Sequence, residues 1–341
     1  MHRHPWRLAW LSLFLAISGS LGGCVPLPED CALANIRCAG LVTDFGAVGE
    51  GLPRQAWLGL LDAQSSGLLD RVDSIETIDT RDRAANLSAF GDAGYDVIVV
   101  VGAGITDDTV HAAQQYPDQQ FIGLQQSVDQ DLQPPNLVEL TFNEKQSGFL
   151  AGAAAGLMTR TRQVAAVCEV DFIDRIRAYC EGFRSGVAFV DPGIVADVIY
   201  RSGAEELLFH DVEWGRNAAL SAVDKGADVV FSVGEETAAA ALAAAADRGA
   251  LVIGAEVDQY TELPEIRPQL LTSAVLDVRP GVLQLVRNTL EGTIQGGEYR
   301  GKVALAPFHE FEDRAAPDVF SRLQQIAKNL ETGEIRIDAS R

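Results

Sequence analysis

The sequence has little positive charge and few residues that bind metals. Lys and Arg together number 27 against 48 Asp and Glu, which gives a net charge of −21. A surface this acidic argues against binding nucleic acid and against broad contact with anionic lipid. The five histidines are scattered at positions 2, 4, 111, 210 and 309, so none has the spacing of a metal-ligand pair. We therefore expect neither a metal nor another cofactor.

The common signatures of catalytic sites are missing as well. There is no G-x-S-x-G nucleophile elbow and no H-E-x-x-H zinc-binding pair. Gly102-Ala103-Gly104 follows an apolar strand, but Asp107 stands where the dinucleotide-binding fingerprint has its third glycine. An aspartate at that point repels a pyrophosphate. We expect no enzymatic activity, and we interpret Gly102 and Gly104 either as a close approach to some other ligand or as a tight turn.

The apolar run near the N-terminus is short. Residues 8–17 (LAWLSLFLAI) have the length of a signal-peptide core and are too few to span a bilayer. Arg3 and Arg7 precede the run, and Leu21-Gly22-Gly23-Cys24 follows it in a pattern that looks like a bacterial lipobox. The alternative is an ordinary secretory signal that ends beside a cysteine. We predict that Cys24 carries a lipid and anchors the protein outside the cytoplasm.

Four cysteines are left once Cys24 is assigned to the lipid. Cys31, Cys38, Cys168 and Cys180 allow three disulfide connectivities. Their spacing favours the pairs Cys31–Cys38 and Cys168–Cys180, each of which closes a short loop. A metal site is the weaker alternative, because no histidine lies near either pair.

From residue 36 onward, short apolar segments rich in β-forming residues alternate with amphipathic helical segments. Eleven such strand candidates occur, beginning with Gly40–Thr43 and ending with Val303–Ala306. Strands that are almost wholly apolar and separated by helices indicate a parallel sheet covered on both faces. Eleven strands exceed one comfortable sheet, so we predict an α/β fold with two doubly wound parallel-sheet lobes.

The two lobes have no Pro/Gly/Ser-rich linker between them, so we predict a hinge that the chain crosses several times. The expected crossings are near residues 141–143, 272–274 and 306–309. Such a hinge allows the lobes to close on a ligand. The predicted division is a signal peptide at 1–23, a tether at 24–35, a first lobe at 36–142 plus 275–305, and a second lobe at 143–274 plus 306–335.

Several short motifs occur in a specific order between residues 38 and 310. They include Leu41-Val42-Thr43-Asp44, Tyr116-Pro117-Asp118, Phe142-Asn143-Glu144, Gly148-Phe149-Leu150-Ala151-Gly152 and Leu271-Thr272-Ser273-Ala274. Their order and spacing resemble those of the basic membrane protein (BMP)-type lipoproteins. These are the substrate-binding components of ABC importers, and they include purine-nucleoside receptors. The resemblance implies a type I periplasmic-binding-protein fold.

The resemblance is weakest after the first strand, where nucleoside-binding members carry a base-stacking aromatic residue and an asparagine. Here those positions hold Pro53 and Arg54. An arginine is a permanent cation that prefers carboxylate or phosphate. One hypothesis is therefore that Arg54 binds an anionic group of the ligand. The alternative is that Arg54 pairs with Glu50, four residues earlier, or points to water.

Other positions implied by the resemblance are also changed. Glu256 stands where an aspartate is expected to hold ribose hydroxyls, and Gln125 replaces an aspartate after the fourth strand. Leu276 replaces an expected lysine. Phe209, together with Asp211, fits a loop of the family and is a candidate for the aromatic surface of the site.

Ligands of open α/β sheets bind at the carboxyl ends of the strands. Glu235 is a weaker candidate there, because acids at a helix start more often satisfy the helix dipole. The predicted ligand-binding residues are Asp44, Arg54, Gly102, Gly104, Gln125, Phe209, Glu235 and Glu256.

These features together predict a lipid-anchored binding protein on the extracytoplasmic side of the cell envelope. Its expected ligand is a small polar molecule, either nucleoside-like or anionic, and its expected partners are an ABC permease and ATPase. We expect a monomer. The alternatives are a sensor of the same fold that signals to a membrane partner, and an enzyme acting on nucleosides or sugars, for which no catalytic constellation is visible.

Overall fold

The structure is a computed structural model that describes residues 29–44, 47–203, 205–294 and 296–337. The predicted signal peptide, Cys24 and the first part of the tether lie outside these ranges. None of the helices within them has the length and apolarity that crossing a bilayer requires.

The described residues form twelve strands and ten helices. The strands are β1 Cys38–Asp44, β2 Arg71–Thr77, β3 Val97–Val101, β4 Gln120–Leu124, β5 Leu137–Thr141, β6 Gln163–Cys168, β7 Val195–Tyr200, β8 Val229–Val233, β9 Leu251–Glu256, β10 Leu270–Leu276, β11 Gly297–Arg300 and β12 Val303–Leu305. The helices are α1 Gly51–Ser65, α2 Arg83–Asp92, α3 Thr106–Gln115, α4 Glu144–Met158, α5 Asp174–Val190, α6 Val212–Asp224, α7 Glu235–Asp247, α8 Gln259–Glu262, α9 Val278–Leu290 and α10 Pro317–Glu331.

The strands form two sheets with the same internal order. The first sheet runs β11-β5-β4-β3-β1-β2 and is parallel throughout; the second runs β12-β10-β9-β8-β6-β7, and only its edge strand β12 is antiparallel. The central strands β3 and β8 are buried along their whole length, as expected where helices cover both faces of a sheet. The prediction of two doubly wound parallel-sheet lobes is confirmed.

The chain passes between the sheets three times. It does so after β5, between β10 and α9, and between β11 and β12. The second and third crossings differ from their predicted positions, because β10 continues to Leu276 and β12 returns to the second sheet. Assigning all of residues 275–305 to the first lobe is therefore wrong at both ends. The crossings are short and have no distinctive amino-acid composition, so their positions could not be predicted accurately from the sequence.

Three elements were missed at the sequence level. Helix α8 has only four residues, which is too short to show a helical period. The edge strand β11 has the sequence GEYR and alternates between half-buried and exposed residues, so it lacks an apolar run. Helix α2 buries only Leu87, Phe90 and Gly91, which is too few for a clear helical period.

Two disulfides tie the chain locally, and both confirm the pairs that the spacing favours. Cys31–Cys38 joins the segment before the first sheet to β1. Cys168–Cys180 joins the end of β6 to α5. The second bridge fixes the start of α5 against the carboxyl end of its own sheet, where the candidate site lies.

Candidate ligand-binding site

The carboxyl ends of the strands in the two sheets face each other, and an ion pair joins the two lobes there. Arg54 lies in the first turn of α1, which packs on the first sheet, and Glu262 ends α8, which packs on the second. Arg54 Nη1 lies 3.2 Å from Glu262 Oε1. The space between these edges is where a doubly wound fold binds its ligand.

Each lobe has a carboxylate–arginine ion pair just after its first strands, at the carboxyl end of the sheet. In the first lobe Arg83 donates hydrogen bonds of 2.7 and 3.0 Å to the two carboxylate oxygens of Asp44, the last residue of β1. In the second lobe Arg201, just after β7, donates to Glu169, just after β6. The side chains of Glu169 and Arg201 are completely buried, and that of Asp44 is 5% exposed. The negative charge of Asp44 is therefore compensated by Arg83 of the same lobe.

A glycine with positive φ follows the third strand of each lobe and makes room for these carboxylates. Gly102 has a φ of 129° and Gly234 a φ of 131°. An added Cβ would lie 2.6 Å from Asp44 Cβ at Gly102 and 2.7 Å from Glu169 Cβ at Gly234. At Gly104 it would meet the Asp44 carboxylate and lie 2.5 Å from Arg83 Nη2. At Gly102 and Gly104 the backbone thus closely approaches the Asp44–Arg83 pair, and contact of these glycines with a ligand stays a prediction.

Four of the predicted site residues adopt the left-handed backbone conformation that favours glycine. Their φ angles are 59° at Gln125, 68° at Phe209, 48° at Glu235 and 67° at Glu256. Non-glycine residues in this region carry strain that clusters at ligand-binding segments. Gln125 and Glu256 occupy equivalent places, since β4 and β9 each follow the third strand of their sheet.

The second lobe brings three charged or aromatic groups together. Arg175, in the first turn of α5, lies with Nη1 3.0 Å from Glu256 Oε1. Its guanidinium carbon lies 5.4 Å from the centre of the Phe209 ring. Arg175 was missed at the sequence level because it is 81 positions from Glu256 and sits in an ordinary amphipathic helix.

Two further carboxylates face this group. Glu144 begins α4 and Glu235 begins α7. Burial raises the pKa of both carboxyls, the nearby Glu256 carboxylate raises it further, and Arg175 lowers it in part. Glu235 remains accessible to water, which is typical of a group on the wall of an open cleft. We define Glu144, Glu235 and Glu256 as the acidic cluster.

The raised pKa of Glu144 predicts a pH-dependent effect of removing its charge. Because its pKa is higher in the folded than in the unfolded chain, stability falls as pH rises through the folded pKa. The variant Glu144→Gln has no ionisable group at this position, so its stability does not fall with pH in this way. Its free energy of unfolding should improve relative to the wild type between about pH 4 and pH 8, by less than about 1 kcal/mol. Urea titrations across this range measure the difference.

Glu331→Gln is the control for that series. The Lys302 ammonium lowers the pKa of Glu331, so the wild type should gain stability relative to this variant as pH rises to about 5, and the difference should stay constant above that pH. Slopes of the same sign for the two variants would contradict the assignment.

Arg54 does not pair with Glu50, which corrects that alternative, because its partner is Glu262 in the other lobe. The Arg54 side chain is 38% exposed, so the pair contributes modestly to the free energy of closure. Arg54→Ala and Glu262→Gln should each weaken ligand affinity about two- to fivefold by favouring the open form. Calorimetry on the identified ligand and fluorescence transfer between labels in the two lobes measure this.

Arg279→Ala is the matched control. Arg279 pairs with Asp62 of α1 at 2.6 Å, and both residues belong to the first lobe. This variant should leave the distance between the labels unchanged. An equal opening in all three variants would show that the interlobe pair has no special part in closure.

A cavity of about 740 Å³ lies away from these strand ends, between β12 and α10. None of the predicted site residues lines it. Within the described part of the chain, no three His, Cys, Asp or Glu side chains are placed to hold a metal ion.

Comparison with known proteins places this geometry in context. Residues 46–300 match the family Bmp, described as "ABC transporter substrate-binding protein PnrA-like". The chain is 26% identical to the CD4+ T-cell-stimulating antigen of Listeria innocua, over 99% of both chains. It is 25% identical to the ABC transporter nucleoside-binding protein BmpA of Lactococcus lactis, over 66% of this chain and 63% of that protein.

Two other matches show how widely the architecture is used. The transcriptional activator protein med of Bacillus subtilis is 23% identical over 82% of this chain and 84% of its own. An ABC transporter solute-binding protein from Conexibacter woesei superposes with a TM-score of 0.72 at 20% identity, over 89% of this chain and 98% of its own. The last likeness shows a shared fold.

Proposed function

The chain belongs to the Bmp family of PnrA-like ABC transporter substrate-binding proteins, and we propose that it binds a small polar solute between its lobes and delivers it to an ABC importer. The observation that carries the proposal is that the carboxyl ends of the strands of both sheets lie at one site. That site holds an aromatic ring, carboxylates and an arginine, and an ion pair bridges the lobes above it. Such a cleft needs only a few well-placed polar groups to select a solute.

We propose a nucleoside-like solute rather than an anionic one. Phe209 supplies a ring and Glu256 supplies acceptor oxygens for hydroxyl or amino groups. Arg54, the residue on which the anionic hypothesis depends, already contacts the Glu262 carboxylate. The Lactococcus lactis relative named as nucleoside-binding supports the same class of solute.

We also propose that Cys24 carries a lipid that holds the protein on the extracytoplasmic face of a membrane. The support is the sequence pattern at residues 8–24. Radiolabelled palmitate should mark the wild type and leave Cys24→Ser unmarked. Label in both proteins would refute acylation at Cys24.

Identification of the co-purifying solute tests the binding function most directly. The full chain is purified, denatured and analysed by mass spectrometry, and the compound found is then titrated into ligand-free protein. Uptake of that compound, labelled, should fall in cells that lack the protein and recover on complementation. Micromolar binding with unchanged uptake would contradict transport.

A regulatory role is the second candidate, because the Bacillus subtilis relative is named as a transcriptional activator. In that case loss of the protein should change gene expression in response to the solute while uptake stays normal. The same deletion strain therefore separates the two candidates.

A further inference from the structure

The acidic cluster has more negative charge than the protein itself balances. Its three carboxylates share one close cation, Arg175, which forms its ion pair with Glu256. Glu144 and Glu235 have no ion-pair partner among the described residues. The other two basic side chains near them are engaged elsewhere: Arg300 pairs with Glu298, and His210 lies 3.2 Å from Glu236. A partly desolvated carboxylate without a partner is unfavourable unless something else neutralises it.

The topology gathers these groups at one point. Glu256 ends β9, Glu235 follows β8, and Arg175 follows β6, and these three strands are neighbours in the order β9-β8-β6. Glu144 comes from the first crossing between the lobes. The cluster therefore lies at the strand ends where the fold binds its ligand, rather than on an outer face where acidic residues are simply hydrated.

Two buried hydroxyls beside the cluster also lack partners. Tyr179 and Ser147 are fully buried, and neither Tyr179 Oη nor Ser147 Oγ has a hydrogen-bond partner among the residues that the structure describes. The charges of Glu256, Glu144 and Arg175 act on the phenol, so it lies close to the cluster. Buried polar atoms without a partner are uncommon in folded proteins, and here their free lone pairs add to the acceptors of the carboxylates.

We propose that the solute is an organic cation, held with its positive charge at Glu144 and Glu235 and its adjoining face near Phe209. This inference rests on the proposed solute-binding function and narrows the class of solute. The groups without partners are carboxylate and hydroxyl oxygens, so the site has unused acceptors and calls for a ligand rich in donors. The Phe209 ring already accommodates the Arg175 guanidinium near its face, and aromatic faces attract cations in general.

Isomeric nucleosides that differ in charge test the proposal. Near neutral pH 1-methyladenosine is a cation, whereas N6-methyladenosine is neutral and differs only in the position of the methyl group and in one proton. Calorimetry on ligand-free full-length protein should show at least about tenfold tighter binding of the cation. Choline and its neutral isostere 3,3-dimethylbutan-1-ol form a second pair that does not depend on a nucleoside framework.

Variants that remove one negative charge show which residues cause the preference for the cation. Glu235→Gln and Glu144→Gln should each reduce the preference for the cation to below about threefold. Glu236→Gln is the matched control, because Glu236 is the next residue along α7 but is 64% exposed and pairs with His210. It should retain the preference.

Tighter or equal binding of the neutral member in both pairs would overturn the proposal, and so would failure of both cations to bind. A preference that survives in both cluster variants would overturn the assignment to this site. A neutral or anionic compound recovered from the purified protein would refute the cationic class while leaving the solute-binding function intact. Absence of any bound or titratable solute would instead count against the function itself.

Discussion

Gly152→Ala is expected to lower the free energy of unfolding by about 3 kcal/mol. Helices α4 and α5 pack with their backbones in direct contact, through Gly148 and Gly152 on one helix and Gly182 and Gly186 on the other. A Cβ at Gly152 would fall on the carbonyl oxygen of Phe183. Backbone cannot move aside as a side chain can, so the helices must separate. Urea denaturation followed by circular dichroism measures the loss.

Gly156→Ala on the same helix is the control. There the added Cβ meets only the side chain of Val190, with the nearest atom at 3.1 Å. This neighbour can shift by a few tenths of an ångström, and alanine is intrinsically better than glycine in a helix by about 1 kcal/mol. We expect little change or a small gain. Equal losses at positions 152 and 156 would show that helix separation is not the cause.

Arg201→Met is expected to cost about 3–5 kcal/mol, because it leaves the Glu169 carboxylate buried without a compensating charge. Both side chains are inaccessible to solvent, and Arg201 also lies 3.7 Å from Asp211. The double variant Glu169→Leu/Arg201→Met removes both buried charges and should recover much of the loss. Denaturant titration of the single and double variants measures the coupling.

Arg248→Ala is the matched control, since the pair Arg248–Asp224 is exposed on both sides. Its loss should stay below about 1 kcal/mol. Similar losses for Arg201→Met and Arg248→Ala would contradict the importance of burial. A double variant as unstable as Arg201→Met would show that Arg201 acts through packing rather than charge.

The ion pairs Asp44–Arg83 and Glu169–Arg201 also show how the two lobes differ. Both carboxylate oxygens of Asp44 receive hydrogen bonds from Arg83. In the second lobe Glu169 Oε2 accepts no hydrogen bond from the described residues, and the acidic cluster lies on that side. Buried side-chain oxygens without a hydrogen-bond partner among the described residues occur in both lobes, including Gln119 and Gln126 of the first. The acidic cluster, however, belongs mainly to the second lobe, which we therefore expect to make the more specific contacts with the solute.

Much of the fold was predictable because it depends on local patterns. Wholly apolar β-rich segments such as Val97–Val101 predicted buried parallel strands, and short cysteine spacings favoured the two disulfides that form. The missed elements are those with little apolar content, such as β11. Of the two misplaced crossings, one follows a strand that continues further than predicted, β10, and the other lies between the short edge strands β11 and β12.

The candidate site was predicted only in outline. The family resemblance pointed to Glu256. The rule that ligands bind after strand ends pointed to Glu235, on which the Glu256 charge acts. It could not identify Arg175 or Glu144, since a single helical residue has no distinguishing spacing. It also assigned Arg54 to a ligand or to Glu50, whereas the partner is Glu262, 208 positions away.

The sequence by itself therefore determined the alternation of strands and helices, the two-lobe α/β class, the disulfide pairs and the likeness to a family of binding proteins. These follow from residue spacing over a few turns or strands. Only the tertiary structure decided which charges are neutralised. A carboxylate with a cation within about 4 Å is already compensated, whereas one without such a cation can bind a ligand. The compensating cation comes from a distant part of the chain.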